Sequence, residues 1–216
     1  MAPNHSELVT IPSGSVKMEG MLELPSAAEG IVLFAHGSGS SRLSPRNNFV
    51  AKKLHEVLIG TLLIDLLSEE EDRDYKTRFD ISLLTVRLGD AASWLRNRHG
   101  TGILPLGLFG ASTGAAAALQ LAALGQHGVG AVVSRGGRPD LASAAALQTV
   151  RAPTLLIVGG DDTVVIELNR QAYDLLQCDK ELVIVPGATH LFEEPGKLEE
   201  VAELARGWFL NRMVAA

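Results

Sequence analysis

The sequence predicts a three-layer α/β domain: a mostly parallel central sheet with helices on both faces, preceded by an antiparallel hairpin. Three observations predict it. Six unbroken apolar runs recur between Ile31 and Val185, the pattern of strands buried on both faces. The segments between them place apolar residues at helical spacing. Only the first apolar segment, Val16–Leu24, alternates with period two, as a half-exposed strand does. Strand then helix, repeated, is the order that right-handed crossovers produce. At 216 residues the chain, 1–216, reads as one domain with a sizeable core.

The elements follow in order. In "VKMEGMLEL", Val16, Met18, Leu22 and Leu24 share one face, while Lys17, Glu19 and Glu23 share the other. "PSG" at Pro12–Gly14 is a turn signal before it, which makes a hairpin. The buried strands are expected at 31–35, 61–65, 104–109, 130–134, 154–158 and 182–185. Ser44 as N-cap and Pro45 at the first helical position open a helix that carries Val50, Leu54 and Val57 on one face. Ile81, Leu84, Leu88, Ala91 and Leu95 mark the next helix. Val165, Leu168, Ala172 and Leu175 mark another, and Leu198, Val201, Ala205 and Trp208 the last. Fewer than twenty residues separate the 130–134 strand from Pro153, enough for a loop and a short helix but not for a cap domain.

Composition narrows the function. The chain is 46% hydrophobic and 20% charged, with a net charge of −6 and no basic stripe, so nucleic acid is not an expected partner. The single cysteine, Cys178, excludes an intramolecular disulfide and a cysteine-based zinc site. No stretch has the length of a membrane span and the N-terminus lacks a signal-peptide pattern, so a cytoplasmic location is expected. The charged stretch Ser68–Arg78 reads as a solvated loop.

In such sheets functional residues gather at the carboxyl ends of the strands. Those ends read "HGSGSSR", "GASTG", "RGGRPD", "GGDDTVV" and "PGATH". They supply a serine, two adjacent aspartates and a histidine, in that order. Gly110-Ala111-Ser112-Thr113-Gly114 fits G-x-S-x-G between a strand and a helix, a turn whose serine is held at a strained tip with small neighbours. A serine hydroxyl needs a base. His190 follows the last strand on a loop opened by Pro186 and Gly187. Of the other histidines, His5 falls in a polar tail, His55 and His99 in or after helices, and His127 at the opposite sheet edge. His36 suits a turn-shaping role. The orienting carboxylate is Asp162 or Asp161; the fourth place of G-x-x-D favours Asp162, leaving Asp161 as a turn or cap residue. The Thr113 N–H and an N–H of the glycine-rich turn, Ser38 ahead of Gly39, would stabilise an oxyanion. The same turn lacks the lysine of a phosphate-binding loop, and the chain lacks the acidic strand end of a dinucleotide site.

These motifs, "FAHGSGSSR", "GLFGASTG", "LLIVGGDD" and "VPGATHLF", resemble the α/β-hydrolase fold, and within it small proteins of the dienelactone hydrolase type, over Gly20–Met213. The resemblance implies a Ser112–His190–Asp162 triad acting without metal or organic cofactor on a small-molecule ester. Dienelactone hydrolases proper carry a cysteine nucleophile; Ser112 in its place favours a serine esterase. Arg135, at a strand end, and Arg42, after the glycine-rich turn, are candidates for binding a substrate carboxylate, the alternatives being a structural salt bridge for Arg135 and a solvated side chain for Arg42. Lactone or thioester hydrolysis and acyl transfer would use the same triad, and a binding module without turnover would use the same fold.

Overall fold

The protein is described over residues 5–213 by a computed structural model. Strands β1 (His5–Ser13) and β2 (Val16–Leu24) form the hairpin, closed by Gly14 at φ 56° and Ser15. The first of these strands begins where the sequence reads as a polar tail: His5 pairs with Leu24 across the hairpin. Residues 1–4 of that tail lie outside the described residues. The remaining strands are β3 (Gly30–Ala35), β4 (Ile59–Ile64), β5 (Leu106–Ala111), β6 (Val129–Arg135), β7 (Thr154–Gly159) and β8 (Lys180–Val185). Their order across the sheet is β1-β2-β4-β3-β5-β6-β7-β8. Pairing is antiparallel as far as β2–β4 and parallel from β4 onward.

The strand bounds shift slightly from those read in the sequence. Pro105 has no N–H, and its carbonyl instead accepts from the Ile31 N–H, so β5 starts at Leu106 and runs on to Ala111. Arg135 is the last residue of β6 rather than the first residue after it.

Helices α1 (Pro45–His55) and α7 (Lys197–Met213) cover one face; α3 (Ile81–Asn97), α4 (Thr113–Leu124), α5 (Ala144–Thr149) and α6 (Thr163–Leu175) cover the other. Alternation within each strand divides the core accordingly. Val32, Phe34, Val133 and Ile157 pack with Val50, Leu54, Ala205 and Phe209 on the α1/α7 face. Leu33, Leu108, Val132 and Leu156 pack with Leu88, Ala117, Leu147 and Ala172 on the other. Each such side chain contributes roughly 1.5–3 kcal/mol by leaving water. Ser44 caps α1, its hydroxyl accepting from the Asn47 N–H, with Pro45 at the first helical position. Between β6 and β7 stand only a 3-10 turn, Pro139–Leu141, and the six residues of α5, so no cap is inserted there.

The Ser68–Arg78 segment is more ordered than a solvated loop. It forms a 3-10 turn (Glu71–Arg73) and the short helix α2 (Tyr75–Arg78). The Glu71 carboxylate accepts from both terminal nitrogens of Arg87 at 2.6 and 2.5 Å, and Arg87 also donates to the Leu66 carbonyl. Burial of Arg87 on α3 makes this pairing obligatory, since its charge has no access to water.

Candidate active site

The turn from β5 into α4 is built on close backbone approach. Ser112 sits at φ 50° and ψ −120°, a conformation non-glycine residues rarely adopt and one that the surrounding packing must enforce. A Cβ at Gly110 would lie 2.7 Å from the Ala115 N and the Gly114 O, and one at Gly114 would lie 2.5 Å from the His36 O. Only glycine lets α4 come this near β3 and β5. On the other side, a Cβ at Gly37 would lie 2.9 Å from the Ser112 Cβ. The 37–40 turn, with Gly39 at φ 68° and the Ser40 N–H donating to the Gly37 O, therefore stands directly beside the serine. This turn carries Ser38. Thr113 is the first residue of α4, where backbone N–H groups lack partners within the helix and the helix dipole is positive.

His36 supports that turn. Its Nε2 accepts from the Leu66 N–H, which leaves Nδ1–H to donate to the Gly37 O at 2.9 Å. Both ring nitrogens are thus committed to the backbone around the turn.

The loops after β7 and β8 are fastened to each other. A Cβ at Gly159 would lie 2.5 Å from the Thr189 O, the Gly160 N–H donates to the Val185 O, and the Asp161 N–H donates to the Ala188 O. This contact brings the His190 Nδ1 to 2.6 Å from the Asp162 Oδ2. A carboxylate only accepts, so Nδ1 carries the proton and Nε2 is left with its lone pair. Asp162 occupies the N-cap position of α6 yet makes no capping bond, because its carboxylate is turned to the histidine. Asp161 is exposed and serves the turn through its backbone. The His190 ring lies over Gly136, where a Cβ would be 3.5 Å from its Nδ1 and Cε1. Gly136 follows Arg135, whose carbonyl accepts from the Ser112 N–H. The loop after β8 thus reaches past β7 to the end of β6, the strand next to the one that carries Ser112.

The two arginines have different fates. Arg42 is committed to Asp65, through its backbone N–H and its guanidinium, and to Glu19 at 2.7 Å. Arg135 is buried beneath the His190 loop, its guanidinium 5.9 Å from the Phe192 ring centre. Cys178 is half-buried beside Thr154 and away from these loops. Gly37 and Gly136 build the site although no motif position assigns them, whereas Gly159 is the first place of the G-x-x-D that points to Asp162. The signal available for them is their place within two residues of a strand end.

A serine at a strained strand-to-helix turn on the carboxyl edge of a mostly parallel sheet, with antiparallel strands on one side, is the arrangement of an α/β-hydrolase fold. The dienelactone hydrolase family model matches residues 69–214, and the chain belongs to that family. A dienelactone hydrolase from Anabaena variabilis superposes with a TM-score of 0.93 at 54% identity, covering 99% of this chain and all of that one. A Xanthomonas campestris α/β serine hydrolase without a lid superposes at 0.80 with 20% identity, over 99% of this chain and 98% of its own, a likeness of fold. Two Mycobacterium tuberculosis proteins bearing a provisional phosphoribosyl transferase name are 54% identical over 98% of this chain. The chain spans about half the length of these curated relatives, 47% of each. Among the described residues no helix is long and apolar enough to cross a membrane.

Proposed function

We propose that the protein is a serine hydrolase that cleaves small or short-chain carboxylic esters through an acyl-enzyme. The observation that carries this reading is the 2.6 Å His190–Asp162 hydrogen bond, with the imidazole lying over Gly136, the residue after the one whose carbonyl accepts from the N–H of the strained Ser112. In the proposed mechanism His190 Nε2 takes the Ser112 proton as the oxygen attacks the ester carbonyl. Asp162 holds the imidazole in the required tautomer and stabilises the imidazolium. The N–H groups of Thr113 and Ser38 receive the oxyanion, aided by the positive end of α4. The alcohol departs with the proton returned by His190, and water activated by the same imidazole releases the acid. Open loops without a cap over them suit a small substrate.

Cyclic esters are a second substrate class, favoured by the family match. Incubation with a fluorophosphonate and mass spectrometry should locate an adduct on Ser112. Ser112→Ala should lower turnover of p-nitrophenyl esters by roughly 10⁴-fold or more. An unlabelled Ser112 with undiminished turnover in Ser112→Ala overturns the proposal. Comparing a lactone with its open-chain ester in the same assay ranks the two substrate classes.

A further inference from the structure

Arg135 carries a charge that nothing around it neutralises. It is 6% exposed, and among the described residues its guanidinium enters no ion pair and no hydrogen bond. Burial and the like charge of Arg46 lower it to about 10, so it remains a cation at neutral pH. The contact with the Phe192 ring uses none of its five N–H donors. An unpaired buried cation costs several kcal/mol, and proteins ordinarily supply a partner.

The neighbouring cation is Arg46, and the carboxylate it meets, Glu193, pairs with it and not with Arg135. Arg46 stands in the first turn of α1, where the helix dipole is positive. It donates to Glu193 at 2.7 Å, but that carboxylate is largely exposed, while the Arg46 Nε is buried without a partner. Phe192, fully buried at φ 57°, holds its ring 5.9 Å from the Arg135 guanidinium. It lies two residues beyond His190, so whatever fills this cluster also supports the loop that carries the proposed base.

We propose that Arg135, Arg46 and the first turn of α1 bind a small free monovalent anion, of chloride or formate size, beneath the His190 loop. The depth of Arg135 favours a small ion over an arm of a bound substrate. The ion accepts from the Arg135 guanidinium, offsets the repulsion between the two arginines and steadies Phe192 against the sheet. The proposal stands apart from the hydrolase reading, because its main test needs no turnover.

Thermal unfolding of the full chain is followed while sodium chloride or sodium formate replaces a bulky HEPES salt at constant ionic strength. The melting temperature should rise saturably, by about 5–10 °C at roughly a hundredfold excess over Kd. Arg135→Met should melt higher than the native protein without the small anion and show no response to it. If that variant fails to fold, Arg46→Gln and Arg135→Lys should each weaken the apparent affinity about tenfold or more. An unresponsive native protein, or variants that respond as it does, overturns the proposal. So does a thermally silent protein in which Arg135→Met abolishes a preference for esters bearing a distal carboxylate, since the charge would then belong to the substrate.

Discussion

Adjacent aspartates, chemically identical, are separated here by where the backbone sends each carboxylate. The Asp161 N–H is tied to the Ala188 O and its side chain faces water, whereas Asp162 turns inward to His190 at 2.6 Å. Asp162→Asn should therefore reduce kcat on p-nitrophenyl acetate by about 10³–10⁴-fold, because an amide that can donate permits the wrong imidazole tautomer. Asp161→Asn should stay within about threefold. The melting temperature of Asp162→Asn should barely move, since Asp162 makes no capping bond to α6. The sequence narrowed the choice to two neighbours and favoured Asp162 by spacing, but which carboxylate faces His190 is a property of the folded turn. Arg42 illustrates the reverse case. It stands next to the glycine-rich turn in sequence, yet Asp65 and Glu19 claim its charge, and both reach it only when β2 and β4 pair.

Among the elements, the junction of β5 with α4 is the most demanding sterically. Gly114→Ala would drive a Cβ into the carbonyls of Ala35 and His36, with no flexible side chain to yield. It should cost about 3 kcal/mol or more, read from the urea midpoint. Gly125→Ala, at the end of the same helix, has φ 68° but nothing within 4 Å, and should cost only about 1–2 kcal/mol. The second critical attachment is Glu71 to Arg87, which pins the Ser68–Arg78 segment to α3. Glu71→Gln should destabilise by about 2–3 kcal/mol, because a buried guanidinium loses its counter-charge. The glycine pattern of the elbow was legible because close packing demands it locally. The Glu71–Arg87 pair was not, since a run of acidic residues looks the same whether it is solvated or anchored.

For the molecule as a whole, the buried His55 and the paired Glu71 are the most strongly shifted of the groups that respond to acid. Burial pushes His55 down to about 4, where it is held neutral with its Nε2 at 2.9 Å from the Thr61 hydroxyl. The unfolded chain takes up that proton near pH 6.5, so this contribution is complete above pH 6.5 and is lost as pH falls toward 4. The hydrogen bond and charge of Arg87 hold Glu71 at about 2, so its contribution is present above about 4.5 and is lost between there and 2. Urea midpoints measured from pH 7 to 3 should fall in two stages, and Glu71→Gln should flatten the lower one. The sequence by itself determined the alternating order of elements, the strands of the core and the elbow around Ser112. These rest on local burial patterns and on steric limits between neighbours in the chain. Only the tertiary structure decided which aspartate meets His190, what became of Arg42, and that Arg135 is buried without a counter-charge. Each depends on side chains brought together from distant parts of the chain by sheet order and loop contact, and such meetings leave no mark on local sequence.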